Sequence, residues 1–113
     1  MATNETSQLL KGVLPGCVLI LLDQDADYGY ALTQRLNDLG FSEVSKSTVY
    51  PLLMNMAKKG LLKIRRQASA HGPKRKYYTL TPAGQQAKQQ FLSEWQQLNN
   101  NVTRVMNAVG DEL

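Results

Sequence analysis

The sequence has little of what most site chemistry depends on. It holds one cysteine, Cys17, and one histidine, His71, in 113 residues. A single cysteine excludes an internal disulfide and fits a reducing compartment. Cys17 has no neighbouring cation or histidine in sequence, so it reads as a packed thiol and not a reactive one. His71 stands in a turn with no second ligand or nucleophile near it, which leaves catalysis without a carrier. No phosphate-cradling glycine loop and no zinc spacing is present, and no metal or cofactor is expected. Long apolar runs are absent too. The longest, residues 17–22, is far below membrane-spanning length and has no cleavage site for a secretory signal. The expectation is a cytoplasmic protein with no membrane partner.

Acid is also missing from one region. Residues 44–93 contain no Asp or Glu, yet hold Lys46, Lys58, Lys59, Lys63, Arg65, Arg66, Lys74, Arg75, Lys76 and Lys88. The rest of the chain carries all nine acids against Lys11, Arg35 and Arg104, leaving a net charge of +4. One sign gathered in one region points to a polyanionic partner. A chain of 12.6 kDa is one domain with an appended helix, and its core is small enough to gain from dimerisation.

What is present is organised around residues 45–62. Taken as a helix, Val49, Leu52, Leu53 and Met56 form one apolar stripe. Ser47, Pro51, Met54 and Lys58 occupy the opposite side, flanked by Tyr50 and Asn55. With Ser47 as N-cap, Pro51 falls near the end of the first turn, and Lys58-Lys59-Gly60 makes a cationic stop.

Before it, Thr6 or Ser7 caps a first helix carrying Leu9, Leu10, Val13, Leu14, Cys17, Val18, Leu21 and Leu22, apolar nearly all round. Gly12, Pro15 and Gly16 weaken that helix and leave its start open between Thr6 and Leu14. Residues 1–5 read as a loose tail. The acidic run Asp23-Gln24-Asp25-Ala26-Asp27 fails as a calcium loop, because Tyr28 and Gln34 stand where glycine and glutamate are needed. A solvated turn is expected there. Residues 28–39 make a second helix, with Tyr28, Leu32, Leu36 and Leu39 inward, Arg35 and Asp38 outward, and Gly40 as its end. Two short helices joined by a few residues, the second basic, are a helix-turn-helix candidate.

After Gly60 the period alternates. Residues 62–67 and 76–80 read as strands of a β-hairpin with a long tip over residues 68–73. Arg65, Arg66, Lys74, Arg75 and Lys76 flank that tip with no acid among them, a self-repulsion that phosphate would relieve. Thr81 and Pro82 then start a helix with no stop before Gly110. Phe91, Trp95, Leu98, Val102, Val105 and Val109 recur at spacings of four and three, a heptad seam that wants another helix. The fold class expected is mainly α with a small β-hairpin. Residues 1–80 form a winged helix-turn-helix DNA-binding domain, and residues 81–113 a long C-terminal dimerisation helix.

At this point the chain resembles the PadR-like family of transcriptional regulators. The resemblance rests on Tyr28-Gly29-Tyr30 and on Ser47-Thr48-Val49-Tyr50-Pro51-Leu52-Leu53. It rests also on Lys59-Gly60-Leu61-Leu62, and on Gly72-Pro73-Lys74-Arg75-Lys76-Tyr77-Tyr78 followed by Leu80, Thr81 and Gly84. With one helix after the wing, the chain is similar to the short subfamily that includes multidrug-sensing repressors. The resemblance implies a homodimeric repressor bound to a double-stranded DNA operator. It also places Trp95 where drug-sensing members carry a tryptophan at the dimer interface.

The site residues expected for DNA are Lys46, Ser47, Thr48, Tyr50, Asn55 and Lys58 on the recognition helix, with Arg66, Lys74, Arg75 and Lys76 on the wing. The seam residues Phe91, Trp95, Leu98, Val102, Val105 and Val109 are expected at the dimer contact. Trp95 has two readings, a packed seam residue or one wall of an apolar cleft for a planar aromatic small molecule. The rival function is a winged-helix module that binds protein and has no operator. The acid-free run of cations speaks against it.

Overall fold

A computed structural model describes residues 7–69 and 72–110. The order is α1 Gln8–Gln24, α2 Gly29–Asp38, α3 Lys46–Lys58, β1 Leu62–Ser69, β2 Gly72–Leu80 and α4 Pro82–Val109. This is a winged helix with a long C-terminal helix, mainly α with one antiparallel hairpin, as the patterning implies. The expected tail at residues 1–5, the alternative cap Thr6, and the tip residues Ala70 and His71 lie outside the described residues. No helix among those described is long and apolar enough to cross a membrane.

α1 begins at Ser7, whose hydroxyl accepts from the Leu10 N–H at 3.0 Å. Pro15 sits inside the helix without ending it, and Leu14, Val18, Leu19 and Leu22 form its buried side. The breakers therefore do not delay the start. Leu9, expected on the core face, is exposed, and Cys17 is half-buried.

α2 buries Leu32 and Leu36, with Thr33 turned back to donate to the Gly29 carbonyl at 2.8 Å. Leu39, expected inward, is 64% exposed because the helix ends at Asp38 and the chain turns away at Gly40. Asn37 holds that turn. Its side-chain amide donates to the carbonyls of Phe41 and Val44 at 2.7 and 2.9 Å.

Arg35, expected in solvent, is tied down instead. Its guanidinium reaches back to Asp27 Oδ2 and to the Leu21 carbonyl, both at 3.2 Å, joining α2 to the end of α1. The acidic run is correspondingly more than a solvated turn. Asp23 accepts from Lys88 and Gln85 on α4, and Asp27 joins the wing as well as Arg35.

α3 starts earlier than expected, since Ser45 and not Ser47 is the N-cap. Pro51 thus lies inside the helix, where it removes one backbone donor. Val49, Leu53 and Met56 are buried and Leu52 half-buried, so the apolar stripe faces the core as its spacing requires.

The strands run longer than the alternation suggests, to Ser69 and from Gly72, with an irregularity in register between Gln67 and Ser69. The hairpin tip is correspondingly shorter than residues 68–73. Its base is anchored where Asp27 and Tyr78 exchange backbone hydrogen bonds, N–H to carbonyl at 3.3 and 2.9 Å. That bridge adds a third, one-residue strand from the loop between α1 and α2.

Thr81 caps α4 by accepting from the Gly84 N–H at 3.0 Å, while its own hydroxyl donates to the Gly60 carbonyl at 2.6 Å. The core is one cluster in which Leu14, Val18 and Leu22 meet Leu32, Leu36, Val49, Leu53, Leu62 and Tyr78. Each fully buried leucine contributes about 1.5–3 kcal/mol relative to exposure. Only the first turns of α4 share in this packing. From Leu92 onward every described residue of α4 is exposed.

Candidate nucleic-acid interface

The polar face of α3 and the wing lie on one side of the molecule, on either side of a cleft of about 400 Å³. Tyr28, Tyr30, Tyr50, Met54, Arg75 and Lys76 line it. Helical spacing puts Ser47, Pro51, Met54 and Lys58 on one face of α3 turned away from the core, with Tyr50 and Asn55 exposed beside them. Thr48 is half-buried. Ser47 shares a hydrogen bond with the Ser45 hydroxyl at 2.8 Å, so the first turn carries a small linked pair of hydroxyls.

Tyr50 is held by α2. Its ring lies over Gly29, where a methyl group would stand 2.3 Å from Tyr50 Cε1. The phenol leans toward the cleft and is 45% exposed. Tyr78, behind it, is buried, and that burial, with Tyr50 close by, pushes its phenol above the usual tyrosine range. It remains neutral.

The wing cations are arranged by pairing across the hairpin. Arg66 faces Lys76, Arg65 faces Tyr77 and Gln67 faces Arg75. Like charges directly opposite destabilise a hairpin, a cost that an anion between them offsets. Arg75 is not a free arm. Its guanidinium stands 4.3 Å above the centre of the Tyr28 ring, and Tyr28 meets Tyr77 edge-on at 5.3 Å. Lys46 similarly lies 5.0 Å over the ring of Tyr30. Such contacts are worth about 0.5–1 kcal/mol at exposed sites and leave the charge available to solvent.

Among the described residues the ion pairs are Arg35–Asp27 and Lys88–Asp23. Lys46, Lys58, Arg66, Lys74, Arg75 and Lys76 therefore meet no carboxylate there. Of the expected DNA-binding residues, Tyr50, Arg75 and Lys76 line the cleft, the others are exposed on α3 and the wing, and Thr48 is partly covered. Tyr28, Gly29 and Tyr30 belong to that surface as well, beyond the site residues that sequence reasoning supplies. The only signal for them is their place in the Tyr28-Gly29-Tyr30 motif. Their role depends on partners 16 to 49 positions away, which no local pattern reveals.

The seam of α4 occupies a different face. Trp95, Leu98, Val102, Val105 and Val109 are between 42% and 65% exposed. Phe91 differs from them, being half-buried against α1 of its own chain. A methyl group at Gly16 would lie 2.2 Å from Phe91 Cγ, so the ring packs on bare backbone. Where α1 and α4 diverge they leave an apolar groove of about 520 Å³, lined by Leu9, Leu10, Cys17, Phe41, Leu92 and Trp95 among others. Burial raises the Cys17 thiol pKa, which keeps it protonated in that groove.

Comparison with known proteins agrees with this arrangement. The profile of the transcriptional regulator PadR-like family matches residues 18–90. A PadR-like transcriptional regulator from Bacillus cereus is 42% identical, with a TM-score of 0.80 over 88% of this chain and 96% of its own. A Streptococcus transcriptional regulator is 38% identical, with a TM-score of 0.81 over 88% of this chain and 98% of its own. A PadR family regulator from Eggerthella lenta is 31% identical, with a TM-score of 0.78 over 87% and 85%. The chain thus belongs to the PadR-like family of DNA-binding transcriptional regulators.

Proposed function

We propose that this regulator is a cytoplasmic, homodimeric, sequence-specific repressor, released from its operator by a small planar aromatic effector bound at the dimer interface. In this reading residues 1–80 bind DNA and residues 81–113 pair the chains. α3 enters the major groove with Ser47, Thr48, Tyr50 and Asn55 toward bases and nearby phosphates, between Lys46 and Lys58. Arg66, Lys74, Arg75 and Lys76 on the wing grip flanking phosphates. The observation that carries the reading is that Arg75 and Lys76 on the wing face Tyr50 and Met54 of α3 across one cleft, while the exposed cations of α3 and the wing have no carboxylate partner among the described residues.

Dimerisation is supported by the exposed seam from Trp95 to Val109, a stripe that water covers poorly. The effector part rests on Trp95, whose indole borders an apolar groove beside that seam. Large aromatic walls at a subunit boundary suit flat apolar ligands.

Retention of the chain's own promoter by the purified protein tests the first part. Specific, salt-sensitive retention is expected; no retention at low salt favours a protein-binding module. The second part is tested at Trp95, the chain's only tryptophan. Planar cationic dyes should quench it saturably and lower promoter affinity, and by calorimetry Trp95→Ala should lose dye binding while remaining a dimer. Dissociation of that variant to monomers, with no dye bound by the native protein, would make Trp95 a packing residue.

A further inference from the structure

The outward face of α3 carries two side chains that offer no hydrogen-bond donor. Ser47, Pro51, Met54 and Lys58 follow at intervals of four, three and four residues and so stack on one face, opposite Val49, Leu53 and Met56. Pro51, Met54 and Lys58 are exposed, Met54 by 54%. Pro51 sits inside the helix, where it presents a carbon ring and no N–H. Met54 adds a flexible thioether at the mouth of the tyrosine-lined cleft. Polar and cationic groups surround this apolar centre: Lys58 at the far end, Lys46 at the start of the helix, and Lys76 across the cleft.

That frame decides what the centre can meet. Cations on several sides call for a polyanion, so the occupant is nucleic acid and not an apolar protein ridge. If α3 lies in a major groove, as proposed above, its middle faces base edges. Those edges are donors and acceptors, and the one apolar group among them is the C5 methyl of thymine. A guanine acceptor pair or a cytosine amino group set against Pro51 and Met54 would lose its water without a replacement partner.

We infer that Pro51 and Met54 read thymine methyls, and that each operator half-site carries two thymines facing the middle of α3. Side chains three positions apart on a helix are about 5–6 Å apart, and bases along a strand about 3.4 Å. The two thymines therefore fall one or two base steps apart. Pro51 has almost no side-chain freedom and sets the register; Met54 adapts to the second methyl. Tyr50 and Asn55 flank the pair and supply the hydrogen bonds that the centre lacks.

The inference rests on α3 being the major-groove helix, and the experiment separates the two. Repeated selection from random duplexes with the full-length protein gives the preferred sequence. Each thymine in it is then replaced by uracil, which removes one methyl and keeps every hydrogen-bonding group. Affinity should fall about fourfold, the effect of burying one methyl, at two positions per half-site and stay level elsewhere. Met54→Ala should abolish the uracil effect at one position and Pro51→Ala at the other, with melting curves showing both variants folded. Uracil tolerated throughout, with sequence preference intact, would overturn the inference and leave recognition to Tyr50 and Asn55. Uracil effects that persist in both variants would overturn it as well. If selection enriches no sequence at all, the placement of α3 in the major groove fails, and the inference with it.

Discussion

The ring of Tyr50 lies on the bare backbone of Gly29, joining α3 to the start of α2. No side chain larger than hydrogen fits beneath it. In Gly29→Ala the new methyl would push the phenol out of place, although alanine suits a helix better than glycine. We expect DNA affinity to fall in Gly29→Ala as much as in Tyr50→Ala, with little loss of thermal stability. Tyr50→Phe keeps the ring and should cost about 0.5–1.5 kcal/mol, the worth of one hydrogen bond, if the hydroxyl meets DNA. Fluorescence anisotropy with labelled duplex, alongside melting curves, measures both effects. Full affinity in Gly29→Ala would mean that the position of Tyr50 does not matter.

The wing gives a prediction about salt. Neutralising Lys74, Arg75 and Lys76 together should weaken binding to all sequences alike. It should also flatten the dependence of log K on log salt by about 0.9 for each phosphate that the wing no longer neutralises. Arg75 differs from the two lysines because it also stacks on Tyr28. Arg75→Gln should therefore lower the melting temperature slightly as well as the slope, whereas Lys74→Gln should change the slope alone. An unchanged slope in the triple variant would show the wing acting through shape.

Dimerisation is tested on the half of α4 whose described residues are all exposed. Leu98 is 51% exposed and sits mid-seam. A buried carboxylate without a partner is strongly unfavourable, so Leu98→Asp should shift sedimentation toward monomer and weaken operator binding. A dimer of unchanged strength would place the seam away from the interface.

The joint between α1 and α4 should respond to acid. Hydrogen bonds from Lys88 and then Gln85 hold the Asp23 carboxyl below the usual carboxylate range. A depressed folded pKa adds stability that is present above the unfolded value, about pH 4, and is lost as pH falls through the folded one. Asp23→Asn should therefore melt lower than the native chain at neutral pH and lose less on acidification below about pH 4. Parallel melting curves at both pH values would expose the idea as wrong.

Much of this molecule is written locally. Thr81 and Pro82 begin α4 because a hydroxyl cap and a residue without an N–H suit the first turn of any helix. The stripe of Val49, Leu53 and Met56 faces inward because helical spacing leaves it no other way to leave water. The concentration of cations between Val44 and Ser93 needs no coordinates to be seen. Local patterns misplace Leu39 and Arg35 because each depends on where the chain goes next. Leu39 follows the helix end, and Arg35 finds Asp27 only when the loop after α1 folds back.

The sequence by itself determined the four helices, the hairpin, the capped start of α4 and the sign of the surface, since these follow from spacing, capping and charge along a few residues. Tertiary structure alone decided which faces meet. Gly29 lies under Tyr50, Gly16 under Phe91, and Arg75 over Tyr28, pairs separated by about 20 to 75 positions. Such contacts are made by shape between distant elements, and a glycine or an arginine carries no mark of the ring it will meet. The shared cleft between α3 and the wing is likewise a product of folding. The backbone bridge between Asp27 and Tyr78 helps to set it, because it holds the hairpin against the loop that precedes α2.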